Sequence, residues 1–244
     1  MLPTELAALM IEDAAARPIE DRIWSMLPGG EVGQRYDGRA KLYDALIGSK
    51  LYNRIAWGTS PAAYSAFAQE AVRHATGPLL DAGCGSLVST ASVHAHSGRL
   101  TVLVDLSLDM LRAGRDRIRA LAGCVPDHLH FLQADLRDLP FRPHAFDAVL
   151  NPGMLHLFAD IETVTRELAR VTARDGAIFM SSLVNDRRLG AHYLALLHKA
   201  GEIAMPRSFG QLVERLEAPS SGLAATLAAR REGNMAFVTA SPAA

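Results

Sequence analysis

The residues of this chain best suited to chemistry gather in a few short stretches. The first is PLLDAGCGSL, residues 78–87, where a short apolar run ends in Asp81 and a tight turn carries Gly83 and Gly85. A helix-like stretch follows at about 89–96. Glycine lets a backbone adopt positive φ and approach a ligand closely. The N–H groups that open a helix favour an anionic group such as a carboxylate. The second is TVLVDLS, ending in Asp105, 20 residues beyond Gly85. A carboxylate so placed can accept from both hydroxyls of a ribose, as in dinucleotide folds generally. It can equally cap the helix that begins near Ser107, although Ser107 can cap by itself and leave Asp105 free. The third is HAFDAVLNPGMLHLF, with Asn151 at a strand end and His156 in the loop beyond. Neutral imidazole is a natural general base near pH 7. It could take a proton from a phenol or hydroxyl, or be a histidine satisfied by hydrogen bonds. His192 and Tyr193, on a helical stretch at 187–201, can reach the same mouth.

Other chemistries fit poorly. His94 and His96 are two apart on an expected helix and point in different directions. His128 and His130 lack cysteine or carboxylate partners at ligand spacing, so no metal is expected. There is no G-x-S-x-G elbow and no P-loop. A nicotinamide-type G-x-G-x-x-G would need glycine where Val88 stands. Cys84 and Cys124 are the only cysteines, which suits a reducing cytosol rather than a disulfide framework. The net charge of −1 creates no global attraction to nucleic acid or anionic lipid. The first residues lack the basic region and long apolar core of a signal peptide, and no apolar run reaches spanning length. A soluble, cytoplasmic protein is expected.

The elements that must position these residues follow in order. Hydrophobic residues make up 49% of the 244, enough for one large domain or two small ones. Residues 1–35 read as helix, short helix and loop: a packing arm or a homodimer contact. Residues 36–75 are helical and rich in aromatics. From Pro78 on, strands read at about 78–82, 99–105, 129–134, 146–151 and 176–184, alternating with helices at 87–97, 107–122 and 160–173. Such alternation implies an open parallel sheet with right-handed crossovers, whose ligands sit outside the carboxyl ends of the strands. Helices at 187–201 and 209–216 precede two strands, about 223–231 and 235–240, hinged at Glu232-Gly233-Asn234.

The D-x-G-x-G of Asp81, Gly83 and Gly85 resembles motif I of the class I S-adenosylmethionine (SAM) methyltransferases, usually D-x-G-x-G-x-G. Leu87 replaces the last glycine, so the loop is expected to sit differently against the methionine end. FLQADLRDLPF resembles the family's A-D-x-x-x-L-P-F, and YDGRAKLYDALIGSKLYNRIAWG resembles the cap of its small-molecule members, the ubiquinone and menaquinone methyltransferases among them. The likeness covers about 36–240. It implies a Rossmann-like, doubly wound, mostly parallel sheet of seven strands in the order 3-2-1-4-5-7-6, with an N-terminal helical cap. It divides the chain into an arm and cap, 1–75, and a SAM-binding core, 76–244, with a helical insertion at about 187–217. It also implies that Asp105 binds ribose, Leu106 covers adenine, and Asp135 with the backbone after it, at Leu136, holds the adenine edge. Asp81 and Asn151 would face the methionine end. Tyr43 and Trp57 of the cap, with His156 and His192, would contact the acceptor, and His156 or Tyr43 would be the catalytic residue. Asp147 would be structural.

The strand ends at Asp81/Gly83/Gly85, Asp105 and Asp135, in that order, together point to transfer of a methyl group from SAM, leaving S-adenosylhomocysteine (SAH), to a small aromatic or lipophilic acceptor by in-line displacement. Neither nucleic acid nor a membrane is an expected partner. A macromolecule methyltransferase would need a basic groove or an added binding domain. A SAM-fold protein without methyl transfer stays open, since fold does not prove activity.

Overall fold

The computed structural model describes residues 2–27, 57–224 and 227–243. The sheet runs through β1 (Arg17–Glu20), β2 (Ile23–Ser25), β3 (Leu79–Ala82), β4 (Thr101–Asp105), β5 (Leu129–Gln133), β6 (Phe146–Asn151), β7 (Thr172–Leu183), β8 (Ala228–Glu232) and β9 (Met235–Ala240). The helices are α1 (Thr4–Ala7), α2 (Pro61–His74), α3 (Ala91–Ala95), α4 (Leu108–Ala122), α5 (Ile161–Val171), α6 (Arg188–Lys199) and α7 (Phe209–Glu217).

The strand order is β1-β2-β5-β4-β3-β6-β7-β9-β8. From β5 onward this is the expected seven-stranded order, with β9 inserted antiparallel between β7 and β8. The central strands are buried on both faces: all four residues of β3 and all five of β5 are buried, which is why they read as continuous apolar runs. One face, through Leu79, Ala148, Leu150, Phe179 and Phe237, takes Phe67, Ala68 and Ala71 of α2. Beside it Leu103, Leu129 and Phe131 take α3 and α4. On the other face Leu80, Val102, Val149, Ile178 and Val238 take α5 and α7. Residues 61–74, grouped with the cap in the sequence reading, thus lie against the sheet itself.

The arm differs from expectation. Instead of a second helix, residues 17–25 form a hairpin, and β2 pairs in parallel with β5, giving nine strands. The edge of β5 offered unpaired backbone groups, and Ile23, Trp24 and Ser25 are buried there. Pro18 sits in outermost β1, where a missing N–H is tolerated. Arg112, Arg115 and Arg119 of α4 pair with Glu20 and Asp21 of the hairpin. No local period signals such a strand, because its partner lies more than 100 residues away. The last hairpin begins later than expected, at Ala228, with Leu223 making only an isolated bridge to Pro242.

Candidate active site

The glycine turn between β3 and α3 is held from β4. The N–H groups of Gly83 and Cys84 both donate to the Val104 carbonyl, at 2.7 and 2.9 Å. Gly85 N–H donates to Asp105 Oδ2 at 2.9 Å, and Ser107 N–H donates to Oδ1 at 2.9 Å. The Ser107 hydroxyl does cap α4, accepting from Met110 N–H. Asp105 is nevertheless not left free, as the sequence reading had it. It clamps the turn to the start of α4, because a half-buried carboxylate needs donors. Each of its oxygens keeps lone-pair capacity for a further donor. Burial pushes its pKa up to about 6 against the pull of those N–H groups.

Gly83, Gly85 and Leu87 all have positive φ, 82°, 54° and 57°. Leu87 therefore adopts a positive φ, a conformation that glycine takes more readily than any other residue. Its side chain is buried and packs toward Gly114 of α4, where a Cβ would come within 3.2 Å of Leu87 Cγ. A residue without a side chain on α4 thus makes room for an unusual residue in the turn. Among the described residues a Cβ on Gly85 would meet nothing within 4 Å, whereas one on Gly83 would meet Met154 at 2.5–2.8 Å.

Asp81 is fully buried. His94 of α3, also fully buried, brings Nε2 to 2.7 Å from Asp81 Oδ2. Asp81 Oδ1 and His94 Nδ1 have no hydrogen-bond partner among the described residues. Asn151 donates its amide to the Ala82 carbonyl at 2.6 Å, and among the described residues its buried Oδ1 has no partner. At the neighbouring strand ends Leu106 is half-buried and Leu136 buried. Asp135 lies half-exposed, accepts from Arg137 N–H at 2.9 Å and stands 3.8 Å from the Arg137 guanidinium. Asp147 accepts from Thr76 and from Gly77 N–H, both at 2.6 Å, tying the entry to β3 onto β6. Burial, with Asp81 and Asp105 nearby, pushes the Cys84 thiol well up, away from nucleophilic use.

His156 sits in the turn after β6. Its Nδ1 accepts from Leu183 N–H at the end of β7, at 3.5 Å. Burial and the Arg207 cation lower its pKa to about 4. Arg207 donates to the carbonyls of Leu155, Phe158 and Ala159, so it clamps the loop that carries His156. Gly153 N–H donates to Ser181 Oγ at 2.7 Å, and Met154 N–H to the Ser181 carbonyl, fixing the loop's start.

Trp57 is buried with Leu194 and Ile203 in a small cluster beside Leu157, Leu183, Tyr193 and Leu197. Its ring centre is 5.3 Å from that of Tyr193. The cluster therefore borders both neighbours of the His156 hydrogen bond. His192 is not brought there: it is exposed on the outer side of α6, with its ring on the Arg188 carbonyl. Tyr43 lies outside the described residues. The sequence reading missed His94, Ser181, Arg207 and Asn234. Asn234 accepts from Arg187 N–H and donates its own N–H to the Trp57 carbonyl, joining the start of α6 to Trp57. None of these carried a motif; His94 was weighed only as a metal ligand and discounted, and Asn234 only as part of the hairpin hinge.

Among the described residues no group of three His, Cys, Asp or Glu could hold a metal ion, and no helix is long and apolar enough to cross a membrane. Residues 80–180 match a family model described as a methyltransferase domain. A demethylmenaquinone methyltransferase of Porphyromonas gingivalis is 36% identical over 98 residues, 40% of this chain and 39% of that protein. The chain therefore spans well under half the length of that curated relative. Among solved structures, a SAM-dependent methyltransferase of Thermotoga maritima superposes with a TM-score of 0.61 at 16% identity, over 84% of this chain and 97% of that one. The [4+2]-cyclase SpnF superposes at 0.65 with 16% identity, over 87% and 96%.

Proposed function

We propose that this chain, whose residues 80–180 match a methyltransferase domain, is a class I SAM-dependent methyltransferase that methylates a small aromatic or lipophilic metabolite. The observation behind the cofactor site is the set of acceptors at adjacent strand ends. Among the described residues Asp81 Oδ1 and Asn151 Oδ1 are buried without partners, Asp105 grips the glycine turn, and nothing lies within 4 Å of where a Cβ on Gly85 would stand. These residues suit SAM: buried acceptors call for a donor such as an ammonium group, and Asp105 has lone pairs left for ribose hydroxyls.

Bound SAM would supply an electrophilic methyl group carried on a sulfonium. Asp105 would hold the ribose, Leu106 would cover the adenine, and Asp135 with the backbone of Leu136 would hold its amino edge. Asp81 and Asn151 would accept from the amino-acid end. Trp57, with Tyr193 beside it, would wall the acceptor, as would Tyr43; exposed His192 supports no more than a rim contact. His156 would accept the acceptor's proton. Its depressed pKa keeps it neutral at pH 7 but makes it a weak base, so proximity and exclusion of water would carry much of the rate. An acceptor of quinol type is supported by the name of the Porphyromonas relative and by the apolar residues around His156. The neutral overall charge supports a small molecule over nucleic acid, and the free cysteines a cytoplasmic setting. A homodimer through the N-terminal arm is compatible with the exposed β1.

The test is calorimetry with SAH and with NAD, followed by mass spectrometry of a phenol and quinol panel incubated with SAM. SAH binding, no NAD binding and a product heavier by one methylene unit are expected. A second reading, SAM-fold chemistry without methyl transfer, is favoured by the likeness to SpnF. It would be the better one if SAH binds tightly while SAM is never consumed with the true substrate.

A further inference from the structure

The buried His94–Asp81 pair has no part in the proton transfer just described. The hydrogen bond between them is 2.7 Å long and both side chains are 0% exposed. Among the described residues His94 supplies the only hydrogen bond to the Asp81 carboxylate. A carboxylate is acceptor-only when ionised, so the ring nitrogen that meets it must carry the hydrogen. The Nε2–H therefore donates, and the buried Nδ1, which has no partner, is then best left as a bare lone pair. The surroundings are otherwise apolar: Cys84, Ala91, Ala95 and Leu103 pack around the turn and α3. A second carboxylate, Asp105, lies across the turn, and both acids help to push up the Cys84 thiol. Arg117 of α4 donates to the Ser86 carbonyl in the same turn, while among the described residues Asp81 Oδ1 has no hydrogen-bond partner.

We infer that His94 is a positioning residue: its Nε2–H holds Asp81 Oδ2 and fixes the carboxylate so that Oδ1 is left to receive a ligand's ammonium group. Resting on the SAM site proposed above, this role belongs to the amino-acid end of the cofactor and not to its nucleoside. Thirteen residues separate the two side chains, and only the turn and the return of α3 bring them together. The short helix after the turn thus takes part in recognition through its last turn, where His94 stands.

Two ligands separate this role from a structural one. SAH carries the ammonium group; 5′-methylthioadenosine has the same nucleoside without the amino-acid end. By calorimetry His94→Leu should weaken SAH by about 10–100-fold, the worth of a hydrogen bond to a charged group. It should leave methylthioadenosine within about twofold. His94→Gln, whose amide N–H can serve as donor, should recover much of the SAH affinity. Nitrogen NMR of the wild type should show a protonated Nε2 whose resonance moves with SAH and stays put with methylthioadenosine. Equal losses for both ligands, or unchanged SAH affinity in His94→Leu, would overturn the role. If His94→Leu does not fold, an Nε2 resonance indifferent to SAH, or a His94→Gln protein weakened equally toward both ligands, overturns it instead. Wild-type protein that binds neither nucleoside overturns the SAM site as well. SAH binding with an indifferent His94 overturns the positioning role alone.

Discussion

The glycine turn after β3 and the loop after β6 stand side by side at the carboxyl edge of the sheet, and they are held in place differently. The turn is held by its immediate neighbour strand: Val104 and Asp105 take the N–H groups of Gly83, Cys84 and Gly85. The loop is also held by its neighbour strand, through Ser181 of β7, and in addition by Arg207 from the stretch before α7, about 50 residues on. In the first region the acid that fixes the loop is also the one proposed to bind the ligand. In the second the groups that hold the loop are separate from His156, which they surround. Support and chemistry are thus merged at the turn and divided at the loop. A substitution at the turn should disturb binding and conformation together, whereas the loop should allow them to be separated.

His156→Ala offers the largest effect that would break this contrast. If His156 is the base, kcat should fall by about 10²–10⁴-fold with SAH affinity unchanged, as measured by steady-state kinetics beside calorimetry. Full activity on the true acceptor would remove His156 from the chemistry and leave a proximity mechanism. Asp105→Ala should weaken SAH by roughly 2–4 kcal/mol and also loosen the turn, visible as faster amide exchange at Gly85. Weaker binding with an unchanged turn would separate the two roles there as well.

Asp105 also makes a prediction about pH. Its folded pKa, about 6, is above the ordinary aspartate value of 3.8. Between those values the folded chain holds more protons than the unfolded one, so this group's contribution to stability falls as pH rises from about 4 to about 6. Thermal unfolding of Asp105→Ala across that window should show a shallower loss than wild type. At the loop, Arg207→Met removes a cation facing His156, and the histidine pKa should rise from about 4 toward its usual value. Because the neutral imidazole is the active form, the acid limb of kcat should move to higher pH; an unmoved limb would show that the limb belongs to another group.

The smallest test concerns Leu87. Leu87→Ala and Leu87→Gly both lose the packing against α4, but alanine must still take positive φ. The glycine variant should be more stable than the alanine variant by about 0.5–1 kcal/mol in denaturant unfolding. Equal stabilities would mean that the turn relaxes once the leucine is gone.

The turn and the acids at the ends of β3, β4 and β5 were legible in the sequence, because each depends on residues within a few positions; the order of the seven main strands followed from the family resemblance. An apolar run that stops at an acid, and glycines that free the backbone, act locally, and the alternation of strand and helix limits how the pieces connect. Ser107 was rightly read as a cap from its own neighbourhood. The double duty of Asp105 was not, since the second donor comes from another strand's turn.

Tertiary structure alone decided the rest. Whether residues 17–25 became helix or strand depended on the open edge of β5, not on their own pattern. That Leu87 could adopt a positive φ depended on Gly114, one helix away. His94 became the partner of Asp81, His192 turned to solvent, and Trp57 went into a cluster with Leu194 and Ile203 because packing assigns each side chain one face and one set of neighbours. Composition and spacing along the chain say which residues can form a hydrogen bond or fill a core. Which partner each one meets is set by contacts between segments far apart in sequence, and these form only when the whole sheet closes around them.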